Sequence, residues 1–454
     1  MTRHFWVLVH RYVGLTIAFF LIVAGLTGSI LAFYDEIDDW LNPHSSRSHT
    51  RVAIPAGQPL LEPFDLCERA LKQVPQARIN LMFLRPQPGE AYEVFLEPRI
   101  DPATGQPYPL TFSGIKLNPY TGVEIERIPV APAQEIYFPL TRKNILRFVY
   151  ALHYQLAIGE TGGLVFGIVA LVWTVDSLVG FYLTLPKRRR KPYSTNVNVS
   201  ARHSGNPCRN DDFLKQTAFK QNSFFQRWKP AWLVKWSASV LRINFDLHRA
   251  GGLWVWPMLI VFAWSSVMLN LPQIYNPVMV YFFEYPSEKE PFSDLPKPQP
   301  DPPIDFRGAY AIGQRLMAEQ ARLKGFTVSY KQPYSMMSYD GAKGVFNYFV
   351  SSNLDISSKR PETALTFDAN TGKFIGIWPL PSGEYSGVTV GSWFLALHFA
   401  WIWGLPYKIF VCFMGLVVAM LSVTGVYIWW KKRRAAQTKL NKSTSAKIIY
   451  GRNN

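Results

Sequence analysis

Leu152-His153 opens one stretch of this chain, ALHYQLAIGETGGLVFGIVALVWTVDSLVGFYLTLPKRRR (151–190), and Leu397-His398 opens another, ALHFAWIWGLPYKIFVCFMGLVVAMLSVTGVYIWWKKRR (396–434). The two can be laid over each other. Gly159 and Gly404 fall six residues after the histidine, Ser177 and Ser422 at 24, Gly180 and Gly425 at 27, Tyr182 and Tyr427 at 29. Both end in a basic cluster, Lys187-Arg188-Arg189 and Lys432-Arg433-Arg434. A second pair opens His10-Arg11-Tyr12-Val13-Gly14 and His248-Arg249-Ala250-Gly251-Gly252. The pattern predicts a duplicated two-helix unit with one histidine at a matching place in each of four membrane helices.

Four apolar runs are long enough to span a bilayer: residues 13–33, 163–185, 253–271 and 409–430. The first is too long for the h-region of a signal peptide, and Leu31-Ala32-Phe33-Tyr34 offers no small-residue cleavage site. The net charge of +17 invites a nucleic-acid partner until it is located. Segments 1–12, 186–249 and 431–454 carry 24 of the 48 Lys and Arg but only Asp211, Asp212 and Asp246 among the acids. That excess on one side follows the positive-inside rule and leaves nothing to demand nucleic acid. It predicts cytoplasmic termini and middle loop, with the two large loops outside. Cys67, Cys208 and Cys412 fall in three different compartments, which excludes a disulfide framework. No Cys-x-x-Cys-His is present, so any haem is held without thioether bonds.

The two large loops share a pattern. An amphipathic segment (63–74; 308–324) precedes two strand-like runs (79–84 and 92–96; 326–330 and 345–350). A tight turn follows, Asn118-Pro119-Tyr120-Thr121-Gly122 in one and Asp368-Ala369-Asn370-Thr371-Gly372 in the other, where glycine tolerates positive φ. These read as two small α+β domains. Residues 284–303, with seven prolines, read as an extended connector. Trp228, Trp232 and Trp236 at spacing four, with Pro230 in the first turn, predict a helix in the headgroup region; its plain reading is a pre-span anchor without chemistry. The expected order is membrane helix 1 (1–34), α+β domain 1 (35–144), helix 2 (145–186), a basic loop with the interfacial helix (187–245), helix 3 (246–272), α+β domain 2 (273–392), helix 4 (393–431) and a tail (432–454).

Orientation places His10 and His248 at the cytoplasmic ends of spans one and three, and His153 and His398 at the outer ends of spans two and four. A continuous helix from His153 to Lys187 would run about 51 Å, against about 30 Å of hydrocarbon. The outer histidines are therefore expected near or above the headgroups, with Gly159, Gly162, Gly163, Gly404 and Pro406 as sites of bending. Symmetry pairs His10 with His248 and His153 with His398, each pair gripping one haem. Filled axial positions suit electron transfer. Arg11 and Arg249, and outside Arg147, are placed to meet propionates, and Gly14 and Gly252 to let a flat ring approach the backbone. The bland alternative, histidines that only hydrogen-bond between helices, serves for one histidine better than for four at matched positions. His4, His44, His49 and His203 have no repeat partner and are given no role. Asp176 lies near the membrane midplane, where charge is expensive, and its repeat equivalent is Leu421. A structural, hydrogen-bonded carboxyl and a proton-handling one are both open. Trp173 and Trp264 are deep enough to relay electrons, although core packing is their plainer use.

The arrangement of His-Arg-x-x-Gly, then Leu26-Thr27-Gly28, then Leu-His, interleaved with two α+β domains carrying Thr-Gly turns, resembles the PepSY-associated transmembrane family over roughly residues 3–434. That resemblance implies an inner-membrane ferric-siderophore reductase, an oxidoreductase in which His10, His153, His248 and His398 are axial ligands to haem b iron. It also implies that a ferric chelate docks on the paired outer domains. Tyr137, Phe138, Tyr385 and Trp393 are the candidate docking rim. Trp264-Ser265-Ser266 departs from the Leu26-Thr27-Gly28 of span one, which questions strict equivalence of the halves. No Gly-x-Gly-x-x-Gly follows a strand, so no flavin or NAD site is expected, and electrons would come from quinol or a separate cytoplasmic reductase. The rival reading is a non-enzymatic peptide-binding or protease-modulating membrane protein, or an accessory subunit of an uptake system.

Overall fold

The computed structural model describes residues 2–43, 50–130, 137–187, 223–286, 294–330 and 334–450, with side chains to residue 438. Most of the basic loop, with Cys208 and His203, lies outside the described residues, as do His44, His49 and part of the Pro-rich connector. Helices α1 (Arg3–Leu31), α5 (Glu160–Thr184) and α12 (Gly404–Tyr450) each contain a window long and apolar enough to cross a membrane. A fourth crossing exists if α7 (Val240–Trp254) and α8 (Trp256–Asn270) count as one, since they meet at a bend of 71°. The chain is a multi-pass membrane protein.

Two of the expected spans are not single rods. Pro257 occupies the first turn of α8, where its ring and missing N–H cannot continue the ladder of α7. The third span thus begins earlier than position 246 and is broken. The His153 helix likewise ends as α4 (Ile145–Gln155) before α5 starts. Leu156 and Ala157 (φ 54°) and Gly159 (φ 69°) adopt the left-handed region between them. The His398 helix is α11 (Ser386–His398), separated from α12 by Ala400, Trp403 (both φ 53°) and Gly404 (φ 59°). Four non-glycine residues at positive φ cost roughly 1–3 kcal/mol each. The chain accepts that cost in the two turns directly after these histidines.

The interfacial helix is also shorter than its tryptophan spacing suggests. It consists of α6 (Phe224–Trp228), capped by Ser223, and a 3₁₀ turn Lys229–Trp232. Pro230 supplies no N–H for an α-helical bond, and Trp236 falls beyond both. Two helices that the loop pattern did not reveal are α2 (Tyr34–Leu41) and α9 (Pro272–Phe282).

The described residues group into two compact units. One comprises residues 1–22, 172–260 and 417–454, and its described secondary-structure elements are all helices. The other, residues 23–171 and 261–416, holds the rest of the helices and one antiparallel sheet. Its strands are β1 (Ala77–Phe83), β2 (Tyr92–Pro98), β3 (Phe112–Leu117), β4 (Glu124–Pro129), β5 (Val328–Ser329), β6 (Met336–Asp340), β7 (Val345–Ser352), β8 (Thr363–Asp368) and β9 (Phe374–Ile377). The order is β4-β3-β2-β1-β6-β7-β8-β9, with β5 paired to β7.

The two loops expected as α+β domains are joined in one continuous sheet. The loop halves share a sheet through β1–β6, in register Leu81–Ser338, Met82–Met337 and Phe83–Met336. They also share a core. Leu66 and Ala70 of α3 (Pro63–Gln73) and Leu316 and Met317 of α10 (Phe306–Lys324) belong to the same buried cluster as Met82, Met337, Phe346 and Phe367. Met82 and Met337 face each other across the joint, both fully buried, which stabilises it by about 1.5–3 kcal/mol per side chain. The run 326–330 shrinks to two-residue β5, and its place in the sheet is taken by β6.

The turns form where expected. Asn118 Oδ1 accepts from Tyr120 N at 2.9 Å, and Asp368 Oδ1 from Thr371 N at 2.7 Å. Gly122 (φ 72°) and Gly372 (φ 68°) then close each turn in the left-handed region, open to glycine without strain.

Candidate functional site

The four repeated histidines meet in two pairs, one within each unit. His10 on α1 and His248 on α7 have ring centroids 6.1 Å apart at an interplanar angle of 56°. His153 on α4 and His398 on α11 are 6.2 Å apart at 67°. In every ring Nδ1 is the hydrogen-bonded nitrogen. His10 Nδ1 lies 3.0 Å from both oxygens of Asp176. His248 Nδ1 lies 2.9 Å from the Leu421 carbonyl and 3.2 Å from Thr424 Oγ1. His153 Nδ1 meets Thr27 Oγ1 at 3.0 Å, and His398 Nδ1 meets Ser265 Oγ at 2.7 Å.

Each partner fixes its ring. A carboxylate or carbonyl only accepts, so Nδ1 of His10 and His248 carries the proton and Nε2 is the lone-pair nitrogen. Thr27 Oγ1 also lies 2.6 Å from the Val23 carbonyl, to which it donates. It therefore accepts from His153. Ser265 Oγ donates to the Phe262 carbonyl at 3.1 Å and accepts from His398 in the same way. Such outer partners orient a metal-binding imidazole and raise its basicity.

Glycines press on the rings. A Cβ at Gly180 would lie 3.2 Å from His10 Cε1, at Gly425 3.3 Å from His248 Cε1, and at Gly28 3.0 Å from His153 Cε1. Gly14 and Gly252, singled out beside the inner histidines, do not touch the rings; a Cβ there would meet Asp176 and Leu421 at 3.9 and 3.8 Å. The equal spacing of Gly180 and Gly425 in the two long stretches was the available signal. For Thr27 and Ser265 the signal was equal distance from His10 and His248.

The His10–His248 pair lines a cavity of about 830 Å³. Its walls include Ile17, Leu21, Trp173 and Trp256, and its basic lining includes Arg11, Arg249, Lys432 and Arg433. Arg249 is held by Asp246 at 2.9 Å and by the Pro230 carbonyl at 2.6 Å. It is therefore already oriented, while Asp246 also pairs with Arg242 at 2.9 Å, so that one carboxylate serves two guanidinium groups. Arg147 is exposed on α4, a turn and a half before His153.

The candidate docking residues fall into local aromatic contacts. Tyr137 and Phe138 each pack edge-on against Phe148 at 5.6 Å, and Trp393 lies 6.2 Å from Trp403. Tyr385 precedes the first turn of α11. Trp264 packs on Tyr275 within an apolar cluster, its plainer use.

A metal atom bound by both Nε2 atoms would set two imidazole centroids about 6 Å apart, because imidazole–metal bonds run about 2.0–2.1 Å. Both pairs have that separation. Among the described residues no group of three or more His, Cys, Asp or Glu converges on a metal position. Two axial nitrogens suffice where a macrocycle supplies the equatorial ligands, so the donor set fits haem. The cavity is also within the roughly 300–1,000 Å³ range of cofactor pockets, apolar along its walls with cations in its lining.

A family model described as the PepSY-associated TM region matches residues 7–432, a stretch that contains all four histidines and both halves of the sheet. No curated protein matches the chain.

Proposed function

Starting from the fact that the chain belongs to the PepSY-associated TM family, we propose that it is a haem-dependent inner-membrane reductase. It passes electrons across the membrane to ferric iron in a siderophore and releases Fe(II) in the periplasm. The observation that carries this reading is the pair of facing histidines in each unit, 6.1 and 6.2 Å apart, with all four Nδ1 atoms engaged. Held by these histidine pairs, haem b would supply one-electron transfer.

The chain's own residues do the rest. Asp176, Leu421, Thr27 and Ser265 present the Nε2 lone pairs. Arg11, Lys432 and Arg433 offer charge to propionates. The positive-inside rule puts that basic end, and both termini, in the cytoplasm, where quinol or a cytoplasmic reductase is the electron source. The sheet then faces the periplasm, with Tyr137, Phe138, Tyr385 and Trp393 as the docking rim. Reduction would loosen the chelate, because its hard oxygens hold Fe(III) far more tightly than Fe(II).

The test is an absorption spectrum of detergent-purified protein, oxidised and dithionite-reduced, with a pyridine haemochrome count. Two haems b per chain support the reading. A colourless protein after haem is supplied during expression overturns it and favours a peptide-binding role for the sheet.

A further inference from the structure

The four histidines are matched in position, yet among the described residues only His10 has an acidic partner. Asp176 is buried, and its two oxygens are equidistant from His10 Nδ1 at 3.0 Å. The repeat position of Asp176 is Leu421, whose main-chain carbonyl meets His248 Nδ1 at 2.9 Å. The same place in the two long stretches thus supplies the acceptor to both histidines of this pair, once as a charged side chain and once as neutral backbone. The other pair has two neutral hydroxyls, Thr27 and Ser265. A buried charge is retained within a membrane-spanning helix only with a specific partner, and here the partner is a ring nitrogen.

We propose that Asp176 is a positioning residue that makes His10 the strongest electron donor of the four ligands and so sets the His10–His248 haem to a lower reduction potential than the His153–His398 haem. This rests on the haem reading above. A carboxylate on Nδ1 raises ligand basicity, and added negative charge near the iron favours its ferric form. With that order of potentials, electron flow from the His10–His248 site toward the His153–His398 site would be downhill. The sequence asymmetry at a single repeat position would thereby give two otherwise matched sites a direction.

Potentiometric titration of the full-length protein tests this. Two midpoints are expected, the lower abolished in His248→Ala and the upper in His398→Ala. In Asp176→Asn the hydrogen-bonding shape persists and the charge is gone. The lower midpoint should rise by at least about 59 mV, a tenfold change in a one-electron equilibrium, while the upper stays in place. Asp176→Glu should keep the lower midpoint close to that of the unaltered protein. A purely structural role for Asp176 would leave both midpoints unmoved in Asp176→Asn, and that result overturns the proposal. So does a lower midpoint that disappears in His398→Ala, which the ligand variants report without touching Asp176. Absence of haem from the unaltered protein would overturn the reading beneath it instead.

Discussion

Ser265→Ala is the sharpest probe of how the His153–His398 site is held. Ser265 is fully buried, and its hydroxyl is 2.7 Å from His398 Nδ1. Removing it leaves an imidazole N–H without its partner in an apolar setting, which costs about 1–3 kcal/mol. At about 1.4 kcal/mol per factor of ten, haem affinity at this site should fall roughly 5- to 150-fold, in line with the 10–100-fold typical of outer-shell partners. The neighbouring hydroxyl provides the control. Ser266 Oγ donates only to the Phe262 carbonyl of its own helix, at 2.8 Å, so Ser266→Ala should leave haem binding unchanged. The assay is haem transfer to excess apomyoglobin, followed spectroscopically, with a haemochrome count before and after. Ser265→Ala should lose one haem of two at an accelerated rate. If it retains haem like the unaltered protein, or if Ser266→Ala loses as much, then the hydroxyl does not orient His398 and the argument from Nδ1 partners fails.

Loss of haem should be pairwise: His10→Ala and the double variant His10→Ala/His248→Ala should each retain one haem by haemochrome count, whereas His10→Ala/His398→Ala should retain none. Gly425→Val should empty the His248 site, since even its Cβ lies 3.3 Å from the ring, whereas Gly376→Val on β9, with nothing within 4 Å of the added Cβ, should not alter haem content. Burial pushes the Cys67 thiol up to about 12. At pH 8 only about one thiol in ten thousand would be thiolate, the reactive form, so iodoacetamide should modify Cys67 only after denaturation, as read by mass spectrometry; rapid modification of native protein would contradict the packed core.

The candidate site was legible in the sequence because it is written in equal spacings. His153 and His398 stand out once the long stretches are superimposed, and His10 and His248 once the second pair is. What escaped notice were small residues whose meaning depends on which helix they face. Gly180 and Gly425 were visible as matches but silent about the rings they touch. Ser265 looked like a departure from Thr27, although both place a hydroxyl on a histidine Nδ1. The Ser-for-Thr exchange keeps the oxygen and drops a methyl, so side-chain chemistry matched where the motif letters did not. Asp176 was conspicuous as a charge, but its partner lies 166 residues away, and helical periodicity carries no information across such a gap.

The fold was legible in its local elements and misread where two distant segments pair. Amphipathic spacing located α3 and α10, and Thr-Gly turns located the hairpin ends, because each is decided within a dozen residues. The joint between β1 and β6 is not decided locally. Met336–Asp340 runs into a Gly-containing turn, whereas the run 326–330 has the better strand composition, so propensity favoured the segment that supplies only the two residues of β5. The choice is settled by edges. Had the halves folded apart, β1 and β6 would each end a sheet with unpaired backbone groups, an invitation to association. Pairing them buries Met82 against Met337 and moves the open edges to β4 and β9. β4 carries Glu124, Glu126 and Arg127 and ends in Pro129, features that discourage further strand addition. The charged strand β4 thus lies at one rim of the sheet, and an isolated half, with β1 uncovered, should associate where the full chain does not.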